Sequence, residues 1–167
     1  DDPKTDFLVT LGLGTTFGAT KSIGNDSGRP VRINDRFFMG GPLNLRGFSY
    51  SGIGPRSYIT EGGGEEGDAL GGEIQGSAVG ILSFPFPHPL LARWGLKGMF
   101  FVNGGNLVNW DSKLSDFGKD AKMTTGFGIA STFFGTGRCE FTVSKVLKKS
   151  PNDCQRKFQL GFGMSFG

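Results

Sequence analysis

Residues 157–166 read Lys-Phe-Gln-Leu-Gly-Phe-Gly-Met-Ser-Phe, and this stretch decides the fold class. Large apolar side chains stand at every second position, namely Phe158, Leu160, Phe162, Met164 and Phe166. Because successive side chains of a strand point to opposite faces, the stretch predicts a strand with one wholly apolar face. Such a face meets a core in a soluble β-sandwich. In a membrane barrel it meets lipid, and the polar face lines a wet lumen.

The same alternation recurs in five earlier segments, at residues 7–17, 72–86, 94–103, 124–134 and 138–144. Most of these segments are long for a soluble protein, whose strands usually have about five or six residues. A tilted strand needs about 9–11 residues to cross a membrane. Strand length therefore favours a transmembrane β-barrel over the alternative of a soluble β-sandwich binding module.

The composition fits this all-β interpretation. Thirty of the 167 residues are glycine, and many of them stand inside the apolar segments. Glycine within a strand pattern usually marks a bend, a bulge or a close backbone approach. Seventeen phenylalanines suit a buried or lipid-facing surface better than a solvated one. The net charge of +3 is mild and predicts no nucleic-acid partner. The sequence has no apolar run long enough for a transmembrane helix.

The residues that usually carry catalysis are sparse and scattered. Cys139 and Cys154 have no zinc-site spacing and are interpreted as free thiols. The single histidine, His88, has no obvious catalytic partner near it in the sequence. No catalytic triad and no pair of acids presents itself. The sequence therefore predicts a protein that is not an enzyme and that needs no metal and no cofactor.

Residues 19–70 lack the alternation and form one connection between strands that is far longer than a usual loop. Loops longer than about 12–15 residues without their own structure are uncommon and usually functional or disordered. The runs Phe-Phe-Met-Gly-Gly-Pro at 37–42 and Leu-Arg-Gly-Phe at 45–48 are too apolar for a solvated tail. We therefore expect the loop to dock against the barrel interior.

Six strands cannot close a membrane barrel, because known barrels begin at eight strands. An open edge in hydrocarbon would leave backbone groups unpaired at a cost of several kcal/mol each. We therefore expect the sequence to be part of a larger barrel whose other strands precede Asp1.

The loop motifs resemble the outer-membrane β-barrel insertase superfamily, which includes bacterial and mitochondrial assembly barrels. The resemblance rests on the Leu-Arg-Gly-Phe run with an aromatic-x-Gly-Gly before it, and on the Gly-Pro and Gly-Gly pairs that follow it. It implies that residues 1–167 are the C-terminal part of one transmembrane β-barrel domain, with the last six of sixteen strands and residues 19–70 as the long sixth loop. The loop residues implied to dock in the lumen are Phe38, Gly40, Gly41, Leu45, Arg46, Gly47 and Phe48.

Asn103 separates two branches of this family. Bacterial members usually carry an acid at that position, where it pairs with the loop arginine, and mitochondrial members look more like the present sequence. The candidate partners of Arg46 are therefore Asn103, Glu73 and Glu140, the two acids being predicted to point inward. A buried guanidinium without partners would be very costly, so we expect several hydrogen bonds.

The last strand also resembles the mitochondrial β-barrel sorting signal, which is polar, any, glycine, any two, hydrophobic, any, hydrophobic. The matching residues are Gln159, Gly161, Met164 and Phe166. In this interpretation Gly161 leaves room for a close partner strand, and these four residues form the gate strand that pairs with a client.

The resemblance implies an insertase that folds and inserts unfolded β-barrel precursors into the mitochondrial outer membrane, with the bacterial outer membrane less favoured. Insertion would proceed through a lateral gate between the first and last strands, by strand addition. The implied partners are precursor proteins, membrane lipid and accessory subunits of an assembly complex. The alternative is a polypeptide-transporting or passive pore barrel of the bacterial assembly, two-partner secretion or chloroplast import type.

Overall fold

The chain forms one antiparallel sheet of six strands in chain order, in a computed structural model that describes residues 8–23, 29, 31–57, 67–88, 90–91, 94–112, 114–133 and 137–164. The strands are β1 (Thr10–Ala19), β2 (Ile74–Pro85), β3 (Leu96–Val108), β4 (Lys122–Phe133), β5 (Gly137–Lys148) and β6 (Phe158–Met164). The all-β prediction is confirmed. Four predicted strand residues, Phe7, Phe134, Ser165 and Phe166, lie outside the described residues.

Two strands extend at least four residues beyond their predicted ends, and β1 and β4 each extend by two residues at one end. The strand expected at 94–103 continues through the Gly104-Gly105 pair to Val108, and β5 ends at Lys148 instead of Ser144. Glycine lets β3 continue here because neighbouring atoms leave no room for a side chain at position 105. A Cβ atom on Gly105 would stand 2.8 Å from the carbonyl oxygen of Gly76 and 3.1 Å from the sulfur of Met39.

The predicted apolar face is the exposed face of the sheet. On β6 the side chains of Phe158, Leu160, Phe162 and Met164 are all more than half exposed. Phe100 lies in the middle of a second apolar row, where its ring centroid is 5.6 Å from that of Phe84 and 5.3 Å from that of Phe127. An extended exposed apolar face of this kind is the surface that a membrane barrel presents to lipid.

The two tryptophans stand at opposite ends of β3. Trp94 precedes the strand and is exposed, and Trp110 follows it with its indole N–H donating to the carbonyl of Thr20 at 2.7 Å. The ammonium of Lys21 lies 5.6 Å from the Trp110 ring centroid. Aromatic residues at both ends of the apolar band are typical of the two interfaces of a membrane barrel.

The opposite face, called the inner face below, is covered by the segment between β1 and β2. The hydrophobic core lies here and consists of Met39, Leu45, Phe48 and Ile53 from the loop and Leu107 from β3. The inner face was expected to be polar or small and wet, and this expectation is wrong for part of β3. Met99 and Phe101 also point inward and are fully buried, because the apolar loop gives them partners.

The connection between β3 and β4 carries a short helix, α1 (Leu114–Lys119). The amide of Asn106 on β3 donates to the backbone carbonyl of Phe117 at 2.7 Å, which ties α1 to the sheet. None of the described helices has the length and apolar character needed to cross a membrane.

Candidate functional site

The candidate site is the contact between the Arg-Gly-Phe tripeptide of the loop and the inner face of β3 to β6. Its charged centre is Arg46, whose Nε donates to Oε1 of Glu140 at 2.8 Å and whose second guanidinium nitrogen donates to Oε2 at 3.0 Å. Both side chains are almost completely buried. Two parallel hydrogen bonds between a guanidinium and a carboxylate fix the geometry of the pair as well as contributing energy.

Two further groups complete the surroundings of Arg46. Arg138, which lies two residues before Glu140 on β5, donates through Nε to the Glu140 carboxylate at 3.1 Å and is only part-buried. The guanidinium carbon of Arg46 lies 5.3 Å from the ring centroid of Phe101, a distance that permits a cation–π contact. One buried carboxylate therefore faces two arginines, of which only Arg46 is shielded from solvent.

The three candidate partners of Arg46 have different positions. Glu140 contacts the guanidinium, whereas the Asn103 amide donates at 3.3 Å to the backbone carbonyl of Arg46. The prediction for Glu73 is wrong. Its carboxylate accepts from the backbone N–H groups of Val31 at 3.2 Å and of Trp110 at 3.1 Å. Glu73 lies just before β2, where it joins the start of the loop to the turn after β3.

Side chains of β3 and β4 donate hydrogen bonds to the backbone of the tripeptide. The carbonyl of Arg46 accepts from the Asn103 amide and from the hydroxyl of Thr124 at 2.7 Å. These two residues are directly paired across β3 and β4. Thr124 was not among the predicted site residues, although the alternation along β4 places it on the inner face and could have identified it.

The last strand holds the tripeptide from the other side. The side-chain oxygen of Gln159 accepts from the N–H of Gly47 at 2.7 Å, and its nitrogen donates to the carbonyl of Phe48 at 2.6 Å. The N–H of Arg156, just before β6, donates to the carbonyl of Gly47 at 2.9 Å. Gln159 was assigned to client pairing, but its amide binds the loop here.

Gly47 is needed for both conformation and space. Its φ angle is +90°, in the region that side chains other than hydrogen disfavour. A Cβ atom would stand 2.8 Å from the methyl carbon of Thr124 and 3.3 Å from Cβ of Ser144. The tripeptide can therefore approach β4 and β5 closely only because its central residue is glycine.

Gly161 has a similar role on β6. A Cβ atom at this position would lie 3.0 Å from Cβ of Pro42 in the loop. The room left by Gly161 is used on the inner face by the loop and by Glu140 of the paired strand β5, whose Cγ would lie 3.2 Å from that Cβ atom. Pro42, which is fully buried, was not among the predicted site residues.

The remaining predicted residues divide into buried and exposed ones. Leu45 and Phe48 are fully buried, and Gly40 and Gly41 turn the chain with φ angles of +125° and +102°. Phe38 was expected to dock with them but is 39% exposed, because neighbouring Met39 points into the core instead. Met164 faces outward from β6 and is exposed, and Phe166 lies outside the described residues.

Comparison with known proteins gives consistent relatives. The model of the Omp85 superfamily domain matches residues 2–166. The sorting assembly machinery 50 kDa subunit of Saccharomyces cerevisiae is 30% identical over an alignment of 168 residues, gaps included, that covers 96% of this chain and 33% of that protein. The human sorting and assembly machinery component 50 homolog is 42% identical over 84 residues, which is 48% of this chain and 16% of that protein.

A solved structure supports the same fold. BamA from Haemophilus ducreyi lacking POTRA domains 1–3 superimposes with a TM-score of 0.73 at 24% identity, over 93% of this chain and 31% of that one. The chain thus spans about a third of the length of its yeast relative and of this structure. The sorting and assembly relatives are β-barrel proteins of the mitochondrial outer membrane, and this chain is assigned to the same membrane. The chain belongs to the Omp85 superfamily.

Proposed function

We propose that the intact protein folds and inserts β-barrel precursors into the mitochondrial outer membrane, with β6 as one wall of a lateral gate between the first and last of sixteen strands. In this proposal residues 1–167 belong to one transmembrane β-barrel domain, and residues 19–70 are its sixth loop, folded into the lumen. The observation that carries the proposal is the attachment of the Arg-Gly-Phe loop to β6 through Gln159. It connects the Arg-Gly-Phe motif of the family to β6, the strand that would exchange hydrogen-bonded partner strands with a client.

β6 would be suited to strand addition once the proposed gate opens, because its pairing with the first strand of the barrel would then be released. It pairs with β5 over seven residue pairs, from Gly137 and Met164 to Val143 and Phe158, and is the last strand in the sheet order. An edge strand offers unpaired N–H and C=O groups to another chain. A client strand could add by backbone hydrogen bonds worth about 0.5–1.5 kcal/mol each, so insertion would need no nucleotide.

The loop would keep the gate strand ordered while its edge is free. Gln159 binds the loop backbone and Pro42 packs against Gly161, so the contacts reach two inward positions of β6. The ion pair of Arg46 with Glu140 fixes the same loop to neighbouring β5. All of these contacts are on the inner face. They therefore leave the outward side chains and the backbone edge of β6 available to a client and to lipid.

Unfolded β-barrel precursors, membrane lipid and accessory subunits of an assembly complex are the partners that this function requires. The names of the yeast and human relatives, which describe a sorting and assembly machinery, support such partners. The alternative of a passive pore is less well supported, since the loop fills the inner face with the buried cluster around Phe48.

The test is an import assay with mitochondria in which the intact protein can be depleted. We expect depletion to block assembly of a radiolabelled β-barrel precursor into its protease-protected form, while a matrix-targeted precursor is imported normally. Re-expression of the wild-type protein should restore assembly. Unchanged β-barrel assembly after depletion would contradict the insertase proposal, and loss of membrane conductance alone would favour the pore.

A further inference from the structure

The sheet opens where β5 and the segment before β6 separate. The N–H of Ser144 donates to the carbonyl of Lys157 at 2.8 Å, which joins the two segments. Immediately before this point the chain turns toward the loop, since the N–H groups of Arg156 and Cys154 donate at 2.9 Å to the carbonyls of Gly47 and Gly52. Residues 154–156 therefore pair with the loop and no longer follow β5.

The opening contains a cavity of about 400 Å³. The lining residues are Ser144, Lys145, Val146, Gln155, Arg156 and Lys157. Three of the six are basic and none is acidic. Lys145, Arg156 and Lys157 are exposed, so a ligand can reach their charges from outside. A concave site with three cations favours an anionic group.

A buried hydroxyl lines the same cavity. Ser144 is 6% exposed, and its Oγ has no hydrogen-bond partner among the described residues. A buried polar atom without a partner costs about 1–3 kcal/mol, so native structures usually satisfy such groups. An anionic oxygen bound in the cavity could accept a hydrogen bond from the Ser144 hydroxyl.

The cavity lies at the end of the apolar outer band. Val143 and Phe158, which are paired across β5 and β6, point outward and are exposed. The ring of Phe158 stacks with that of Phe141 at a centroid distance of 6.4 Å. The next residues along the two strands are Ser144, Lys145 and Lys157, so apolar surface changes to basic surface within one or two residues. Lysine and arginine side chains at such a boundary extend toward lipid headgroups.

We propose that this cavity binds the phosphate headgroup of an anionic phospholipid, whose acyl chains lie on the apolar surface around Phe158. Lys145, Arg156 and Lys157 would bind the phosphate oxygens, and the Ser144 hydroxyl would donate to one of them. The basic cavity is continuous with the lipid-facing surface. This continuity favours a lipid as the occupant, because a soluble anion would make no contact with the adjoining phenylalanines.

The test uses the intact protein in nanodiscs of phosphatidylcholine that contain a photoactivatable phosphatidic acid or a photoactivatable phosphatidylcholine. Crosslinked residues are mapped by mass spectrometry, and competition with unlabelled phosphatidic acid gives the relative affinity. We expect the acidic probe to label residues 141–158 selectively. Each neutralised charge should weaken the interaction about fivefold, so the variant Lys145→Gln/Arg156→Gln/Lys157→Gln should lose about a hundredfold.

The matched control is Arg32→Gln/Lys119→Gln/Lys149→Gln, which removes three exposed charges that do not line the cavity. It should retain selective labelling, whereas Ser144→Ala should lose affinity without loss of the fold. Equal loss in the two triple variants would overturn the proposal and indicate general surface charge. Equal labelling by both lipids would overturn it too. So would full displacement of the probe by inorganic phosphate, which would indicate a soluble-anion site.

Discussion

The side-chain oxygen of Gln159 accepts a hydrogen bond from the N–H of Gly47 at 2.7 Å, so the last strand holds the long loop at its central glycine. The same amide donates to the carbonyl of Phe48. Both loop groups are buried, and the carbonyl of Phe48 also accepts from the N–H of Gly41 at 3.0 Å. The polar residue of the sorting-signal pattern thus has a structural partner within its own chain.

Replacing Gln159 by leucine should release the loop from β6. The substitution leaves the buried N–H of Gly47 without its partner, at about 1–3 kcal/mol, whereas the carbonyl of Phe48 still accepts from the N–H of Gly41. Hydrogen exchange at the amides of residues 45–48 should become faster, while exchange within β3 stays unchanged. The control is Gln155→Leu, at an exposed position just before β6. Equal exchange in the two variants would show that the amide contact does not hold the loop.

Removing one partner of the buried ion pair should cost more than removing both. Glu140→Leu alone leaves the Arg46 guanidinium buried without a carboxylate, and Arg46→Met leaves the buried Glu140 carboxylate with only the part-buried Arg138. Breaking a buried pair typically destabilises by about 3–5 kcal/mol. The double variant leaves no unpaired charge between the two positions and should be more stable than either single variant, although Arg138 loses its contact with Glu140. Denaturant unfolding of the intact protein in detergent measures the difference. A double variant less stable than both single ones would contradict this account of the pair.

Gly47→Ala should disturb the loop through both strain and a steric clash. The φ angle of +90° disfavours alanine, and the new Cβ would stand 2.8 Å from the methyl carbon of Thr124. The additional change Thr124→Ser removes that methyl group but keeps the hydroxyl that binds Arg46. We expect the double variant to recover part of the lost unfolding temperature.

The control for Gly47 is Gly118→Ala in α1, where an added Cβ would meet nothing within 4 Å. Alanine in a helix is favoured over glycine by about 0.5–1 kcal/mol, so this variant should be neutral or slightly more stable. A Gly47→Ala protein that unfolds at the wild-type temperature would show that the close approach of the tripeptide is not required.

Gly161→Ala separates a loop contact from a client contact. The added methyl group would press on Pro42, so proteolysis of the loop should become faster even when no client is present. Pro42→Gly should reverse part of the effect by removing the opposing Cβ, while Cγ of Glu140 stays 3.2 Å from the added methyl group. At Gly163 the nearest atom is a flexible methyl group of Leu43 at 3.4 Å, and Gly163→Ala should leave the loop protected. If Gly161→Ala impairs client assembly but not loop protection, the role of Gly161 lies in client pairing.

The sequence was sufficient for the sheet and for the lipid-facing side, because strict alternation on β6 determines which side chains share a face. It was also sufficient to identify Arg46 as a buried group. It could not choose between Glu73 and Glu140, since both acids point inward and only the path of the loop over the strands decides which one the guanidinium reaches. Nor could alternation predict the burial of Phe101, since its partners come from a loop without periodicity.

The roles of Gln159 and Gly161 could not be separated for a related reason. A polar residue and a glycine on the inner side of an edge strand suit both a docked loop and an incoming strand. Only the positions of Pro42 and the Gly47 amide show that the loop occupies this side. The gate proposal therefore depends on the backbone edge of β6 more than on these side chains.

The most direct test of the central claim is disulfide crosslinking between β6 and the last strand of an arrested β-barrel precursor. Single cysteines are placed in turn at positions 158–164 of the intact protein, in which Cys139 and Cys154 are replaced by serine. The control is a cysteine at position 102, an outward-facing position of β3. The account predicts crosslinks at several β6 positions, in a register that shifts with the cysteine in the client, and none at the control. The lateral gate would be contradicted if no β6 position forms a crosslink, provided that the cysteine variants fold and their loop remains protected from protease.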